Sequence, residues 1–248
     1  MKKSNSFFFG LIVLFSFLFV LPVGCKQIST ETTTETTESK LETAWYLSLL
    51  NIIPVNNDTL SRVYVQDIVL LSEKIQKYPQ ITELYAIIHA HQLSGFGQYY
   101  SESEWQQTIG FTDKNVKQNI LAGTSPDDYQ VVRVNIDENT FQQAIKTGPL
   151  NDILQIDTYE GVEYYGWGED KQIDLKNRSM FRPLGIGGRT AYIDGFIFWA
   201  NSTAGIKDMI ASYKDKIVSL ADLKDYQLLA EGLARVDVAN ALFSSEPQ

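Results

Sequence analysis

The sequence predicts an α+β fold, a largely antiparallel sheet with helices packed against it, and three observations carry that expectation. Asp194-Gly195 is a two-residue turn signal between the apolar runs Arg189-Thr190-Ala191-Tyr192-Ile193 and Phe196-Ile197-Phe198-Trp199. Glu160-Gly161 gives a second, weaker hairpin signal between residues 153–159 and 162–167. Around both hairpins, apolar residues recur at helical spacing behind Ser, Thr or Asp in capping positions. Helices mixed with hairpin-connected strands give this class rather than alternating parallel units.

Taken in order, Ser39 and Glu42 have capping-box spacing ahead of Leu41, Ala44, Trp45 and Leu49, so a helix is expected to open there and to end at Pro54. Asn56-Asn57-Asp58 reads as a turn and Arg62-Val63-Tyr64-Val65 as a short strand. Ile81, Leu84, Tyr85 and Ile88 mark the buried stripe of another helix, and Ser101 with Glu104 caps one before Trp105. Phe111-Thr112-Asp113 predicts a further helix, with Thr112 as cap, Phe111 stapled to Val116 and Gly123 at its end. Residues 129–134 read as a strand, and Asp137 caps a helix that buries Phe141, Ala144 and Ile145. Beyond the Asp194-Gly195 hairpin, Asn201 or Ser202 caps a helix burying Ile206, Met209, Ile210 and Tyr213. A Ser219/Asp222 box starts the last helical region, which runs to about residue 234. The pattern Val63-x-Val65, helix, Pro79 recurs as Val132-x-Val134, helix, Pro149, a likeness weak enough to read as chance and without a solenoid period.

The beginning of the chain is read as a targeting signal rather than as fold. Lys2 and Lys3 precede an almost wholly apolar run over residues 7–21, which Leu21-Pro22-Val23-Gly24-Cys25 closes. Those last five residues resemble the lipobox of bacterial lipoprotein signal peptides, with Gly24 and Cys25 matching it and Pro22 standing where leucine is typical. The resemblance implies cleavage between Gly24 and Cys25 and attachment of diacylglycerol to the Cys25 thiol. One acyl chain holds a protein to a bilayer only marginally, at roughly 0.8 kcal/mol per buried methylene, so two or three make a durable tether. The alternative is an uncleaved membrane anchor, the apolar run being close to the shortest that spans. Either way the body is expected outside the cytoplasm, on the cell membrane or the outer membrane.

Three segments follow from this reading: a signal peptide over 1–24, a lipidated Cys25 with a stalk to residue 40, and one globular domain over 41–248. The stalk, Lys-Gln-Ile-Ser-Thr-Glu-Thr-Thr-Thr-Glu-Thr-Thr-Glu-Ser-Lys, has one aliphatic residue and no aromatic, too little apolar surface to offset the entropy of ordering it. Cys25 is the single cysteine, so a lipid there leaves none for a disulfide, a thiol nucleophile or a zinc-thiolate site. With Lys2 and Lys3 removed from the 21 basic residues, 30 acidic residues leave a formal charge of −11. A body so acidic is repelled by nucleic acid and by anionic headgroups, which leaves the covalent lipid as its link to the membrane. The domain is expected to be a monomer that folds on its own core.

The order Ile53-Pro54, polar turn, Val63-Tyr64-Val65, with Tyr159-Glu160-Gly161-Val162 further on, resembles the opening of several uncharacterised exported bacterial proteins. That resemblance implies no activity. Candidate chemistry is thin. His89 and His91, the two histidines, fall about 200° apart on a helix and do not converge on a metal. Gly185-Ile186-Gly187-Gly188-Arg189 lacks the strand-to-helix context of a phosphate loop and reads as a connecting turn. Asn135, Asp137 and Asn139 alternate like the start of a calcium loop, but Thr140 replaces the glycine, and Glu169, Asp170 and Asp174 read as a solvated loop. No hydrolase signature of the Gly-x-Ser-x-Gly, Ser-x-x-Lys or His-Glu-x-x-His kind occurs, so neither a catalytic residue nor a metal or other cofactor is assigned.

Aromatic residues are what remains, with 13 tyrosines and 4 tryptophans. Tyr165, Trp167, Tyr192 and Trp199 are the candidate partner surface, since such rings suit faces that are apolar yet wet. In the Asp194-Gly195 hairpin both sides are apolar, so its second face must be covered either by the chain's own helices or by a partner. The functional expectation is a non-catalytic envelope lipoprotein that binds an envelope protein or another envelope component, the alternative being an envelope enzyme or a small-solute receptor.

Overall fold

The computed structural model describes residues 45–81, 102–178, 184–236 and 238–245. Eight strands form one antiparallel sheet: β1 (Arg62–Asp67), β2 (Val116–Ala122), β3 (Tyr129–Val134), β4 (Gln155–Tyr159), β5 (Val162–Trp167), β6 (Gly188–Ile193), β7 (Phe196–Ala200) and β8 (Asn240–Ser244), in the order β4-β5-β6-β7-β3-β2-β1-β8. The described helices are α1 (residues 45–50), α2 (Asn57–Ser61), α3 (Ile68–Lys77), α4 (Glu102–Ile109), α5 (Glu138–Thr147), α6 (Thr203–Tyr213) and α7 (Lys224–Arg235). This is the α+β class that the turn and periodicity signals predict.

Both predicted hairpins form. Asp194 and Gly195 take φ of 49° and 86°, and Glu160 and Gly161 take 49° and 77°, the left-handed pair a two-residue turn needs to match strand twist. Thr190 then pairs with Trp199 and Tyr192 with Ile197. Period-two alternation sends Ala191, Ile193 and Phe198 to one face of the sheet and Tyr192, Ile197 and Trp199 to the other. The first face is covered by α1, α6 and α7 through residues such as Leu49, Ile206, Met209 and Tyr226. Trp105 and Ile109 of α4 and Phe141 and Ile145 of α5 cover the second. Because helices lie on both faces, these strands carry near-continuous apolar runs instead of alternating with polar residues.

Several elements differ from expectation. Residues after Thr112 do not form a helix: the Thr112 N–H does bond Asn115 Oδ1 at 2.9 Å, but this closes only a 3-10 turn over Asp113–Asn115. Val116 to Ala122 is instead a central strand between β1 and β3, and Gly123, at φ 85°, leaves it into the next turn. Helix α3, capped by Asp67 through the Leu70 N–H at 2.9 Å, is the helix expected between Val65 and Pro79, whereas the edge strand β8 has no counterpart in the sequence pattern. Asn57 and Asp58 lie in the short helix α2, with Asn56 as its cap. Strand β1 leads into α3 as β3 leads into α5: each helix has an Asp cap, and each strand pairs antiparallel with β2. The Ser39/Glu42 cap, the stripe from Leu84 to Ile88, His89 and His91, and the Gly24-Cys25 lipobox lie outside the described residues.

Candidate functional site

Where the sequence places a partner surface, the structure has core. Tyr165, Trp167 and Trp199 are 1%, 2% and 7% exposed. Phe141 of α5 packs on Tyr165 and Tyr192 at ring-centroid distances of 5.8 and 5.9 Å. Tyr192 donates its hydroxyl to Ile136 O at 2.9 Å, and Tyr165 donates to Glu163, which also takes Lys146 Nζ at 2.8 Å. Burial and that carboxylate both push the Tyr165 phenol upward. Gly188 shows how tightly this region is packed: a Cβ there would sit 2.5 Å from the Trp167 ring and 3.1 Å from Trp199 Nε1. Tyr165, Trp167 and Trp199 are therefore interior and Tyr192 is half-buried against them, and the chain's own α4 and α5 are the cover the hairpin requires.

A polar line crosses the same face. Gln66, Asn119, Gln130 and Thr190 are each 0% exposed and, with Trp199, follow one another across β1, β2, β3, β7 and β6. Gln130 Nε2 donates to Asn119 Oδ1 at 2.9 Å, and Thr190 Oγ1 donates to Phe198 O at 2.8 Å. Among the described residues, the Gln66 carboxamide has no hydrogen-bond partner for its oxygen or its nitrogen. This line is sealed inside the fold, so it bears on stability rather than on an external ligand.

At one end of the sheet lies a charged clasp. Arg189 uses Nε on Thr203 Oγ1 (3.0 Å), Nη1 on Trp167 O and Gly188 O (3.1 and 2.8 Å), and Nη2 on Gly168 O and Asp170 Oδ1 (3.1 and 2.6 Å). Those are all five N–H donors of a guanidinium, so Arg189 serves an internal carboxylate and not a ligand. Asp170 in turn accepts the Thr203 N–H at 2.9 Å at the start of α6, where the helix dipole favours an anion. The glycine-rich entry to β6 is a close-packed turn: Gly185 has φ 69°, and a Cβ there would overlap Asp174 O at 1.7 Å. Lys171 pairs with Asp127 beside it. Burial, with Asp127 adding to it and Arg62 opposing, lifts the neighbouring Asp128 carboxyl to about 6. Asp137 is spent on capping α5 through the Thr140 N–H at 2.7 Å, and Asp174 on the turn that follows it. Among the described residues no group of three His, Cys, Asp or Glu is arranged to hold a metal.

An open concavity lies elsewhere, between α4 and α5. Their inward faces enter the core, while Gln106, Gln107, Thr140, Gln143 and Thr147 line a cleft of about 640 Å³. Its floor is backbone, because glycine lets the two helices meet. A Cβ on Gly148 would lie 2.3 Å from Gln107 O, and one on Gly110 would lie 2.8 Å from Thr140 O. Gln106 Nε2 is used on Gly110 O (2.9 Å) and Thr147 Oγ1 on Gln143 O (2.8 Å). Gln107 and Gln143 are exposed, and each carboxamide offers two donors and an acceptor oxygen. All nine described lining residues are uncharged, so the cleft is built for hydrogen bonding and shape, not for proton transfer.

This cleft is barely legible in the sequence. Its only signal is the pair of doublets Gln106-Gln107 and Gln142-Gln143, which look like ordinary solvated helix faces until the helices are brought together. Compared with known protein families, characterised proteins and solved structures, the chain finds no match.

Proposed function

We propose that this chain is a non-catalytic binding module of the bacterial cell envelope, tethered through lipid on Cys25, whose α4–α5 cleft takes an uncharged, hydrogen-bonding envelope component. The observation that carries the ligand class is the lining itself. Gln107 and Gln143 face a glycine-floored cleft without a charged neighbour in its described wall, on a protein whose formal charge is −9. Anionic ligands are repelled by such a body, whereas a neutral amide- or hydroxyl-bearing chain satisfies the carboxamides at no electrostatic cost. Support for the tether is the lipobox resemblance at Gly24-Cys25.

Two measurements test the two halves separately. Gln143→Glu places a carboxylate in the cleft without altering the core, so full-length protein in detergent should lose about tenfold in affinity for envelope fragments, or about 1.4 kcal/mol, at unchanged melting temperature. Equal co-sedimentation of variant and wild type would remove the cleft as the binding site. Cys25→Ala should leave an uncleaved precursor that takes up no fatty-acid probe, and equal labelling would remove the lipid.

A further inference from the structure

A second, smaller groove of about 220 Å³ opens where the described chain begins. Its walls are Trp45 of α1, Val69 and Leu70 of α3, and Leu233 of α7, with Asp67 and Glu73 at the rim. Trp45 and Leu233 are only partly buried against the core, and Val69 is 49% exposed. Asp67 is occupied by the Leu70 N–H and by Gln118 Nε2 at 3.2 Å, which leaves Glu73, on the exposed side of α3, as the available charge.

We propose that the occupant is the chain's own segment 39–44, with Leu41 seated in the groove and Lys40 beside Glu73. Three points single it out. Trp45 is helical, and on a helix continued back toward the Ser39/Glu42 cap the residue four before it, Leu41, would fall on the same face. In Ser39-Lys40-Leu41-Glu42-Thr43-Ala44, Leu41 is the one large apolar side chain, and Ser39 and Glu42 stand at capping-box spacing for a helix starting at Lys40. Lys40 is the one cation of that segment and is complementary to the acidic rim. The seat fixes where the stalk leaves the domain, so the free tether ends near residue 38 and the α1–α3–α7 corner is held toward the membrane. It rests on the groove and the sequence beside it, and not on the ligand reading of the α4–α5 cleft.

Limited trypsin digestion of the full, lipidated chain in detergent tests it, because seating hides the bond after Lys40. A Thr33→Lys background supplies an unseated reference bond in the stalk. The bond after Lys40 should be cut at least about tenfold more slowly than that after position 33, as local opening must precede cleavage. Leu41→Ser should abolish the difference. Val69→Lys, which blocks the groove from the domain side and leaves the cut site intact, should do the same while the domain core stays resistant. Equal cutting of both bonds in the Thr33→Lys chain overturns the proposal. Protection that grows with protein concentration also overturns it and assigns the groove to a second copy.

Discussion

Replacing Gln66 by methionine is expected to stabilise the domain. Gln66 lies on β1 opposite Asn119, is 0% exposed, and among the described residues has neither its amide oxygen nor its amide nitrogen hydrogen-bonded. Burying such a group uncompensated costs about 1–3 kcal/mol on mutational scales, the part of an amide's hydration that folding does not return. Methionine keeps the length and unbranched shape of glutamine, so the volume is conserved and neither a cavity nor a clash offsets the gain. An ordered water between Gln66 and the rest of the line would recover part of the cost, which puts the net gain at about 1–2 kcal/mol. For a domain of this size that is a rise of roughly 2–8 °C in Tm. Urea unfolding followed by tryptophan fluorescence measures it, with an unchanged slope showing that the denatured state is unaltered. Asn119→Leu is the contrast: it removes the acceptor of the Gln130 amide at 2.9 Å and should cost about 1–3 kcal/mol. A Gln66→Met variant less stable than wild type by 1 kcal/mol or more, on the order of one hydrogen bond, would refute the reasoning and show Gln66 to be fully satisfied.

Trp199→Ala should destabilise the fold by about 3–5 kcal/mol, as loss of a large buried side chain does, and should leave binding of envelope fragments unchanged under conditions where the variant is folded. Arg189→Lys cannot reproduce five fixed donors and should cost about 2–4 kcal/mol in urea melts, whereas retention of full stability would show the clasp to be dispensable. Asp128 gives a pH dependence of defined sign. Its folded carboxyl is raised from the ordinary 3.8 to about 6, so the folded state holds the proton more tightly than the unfolded chain. Its contribution is full below about pH 4 and is lost as pH rises through about 6. Asp128→Asn should therefore flatten the fall in Tm between those values, and an unaltered pH profile would contradict the burial of this group.

What was legible in the sequence was what is decided locally. Asp194-Gly195 and Glu160-Gly161 announce themselves because their backbone must take positive φ, and the caps Asp137 and Ser202 because a short polar side chain must meet the first free N–H groups of a helix. Strand β2 is hidden for the same reason: the Thr112–Asn115 bond is real, but the conformation of Val116 to Ala122 is decided by ladders to β1 and β3 that no local pattern records. The aromatic hairpin showed correctly that both of its faces needed cover. That the cover is α5, with Phe141 on Tyr165 and Tyr192, depends on packing between residues about 25 to 50 positions apart, and helix periodicity is silent on it. The cleft was invisible for a related reason. Glutamines on two helix surfaces become a concavity only because Gly110 and Gly148 let the backbones approach.

A sheet covered on both faces constrains how the domain meets anything else. Its central strands cannot present a flat recognition face, so contact falls to helix backs, loop ends and the edge strands β4 and β8. On the proposed reading the contact is made by the backs of α4 and α5, through neutral carboxamides. Neutral hydrogen bonds contribute only about 1 kcal/mol each net of the water they replace, and no opposite charge steers the ligand in. A cleft of this chemistry gives weak and readily reversed binding from free solution. A lipid tether changes the relevant quantity from affinity to effective concentration, because a domain held on a short stalk near its ligand meets it at up to millimolar local levels. Weak neutral recognition and covalent anchoring then belong together, and a soluble fragment beginning at residue 41 should bind the same envelope material far less than the lipidated chain does on a membrane. Equal occupancy of the soluble and tethered forms at equal bulk concentration would break that link.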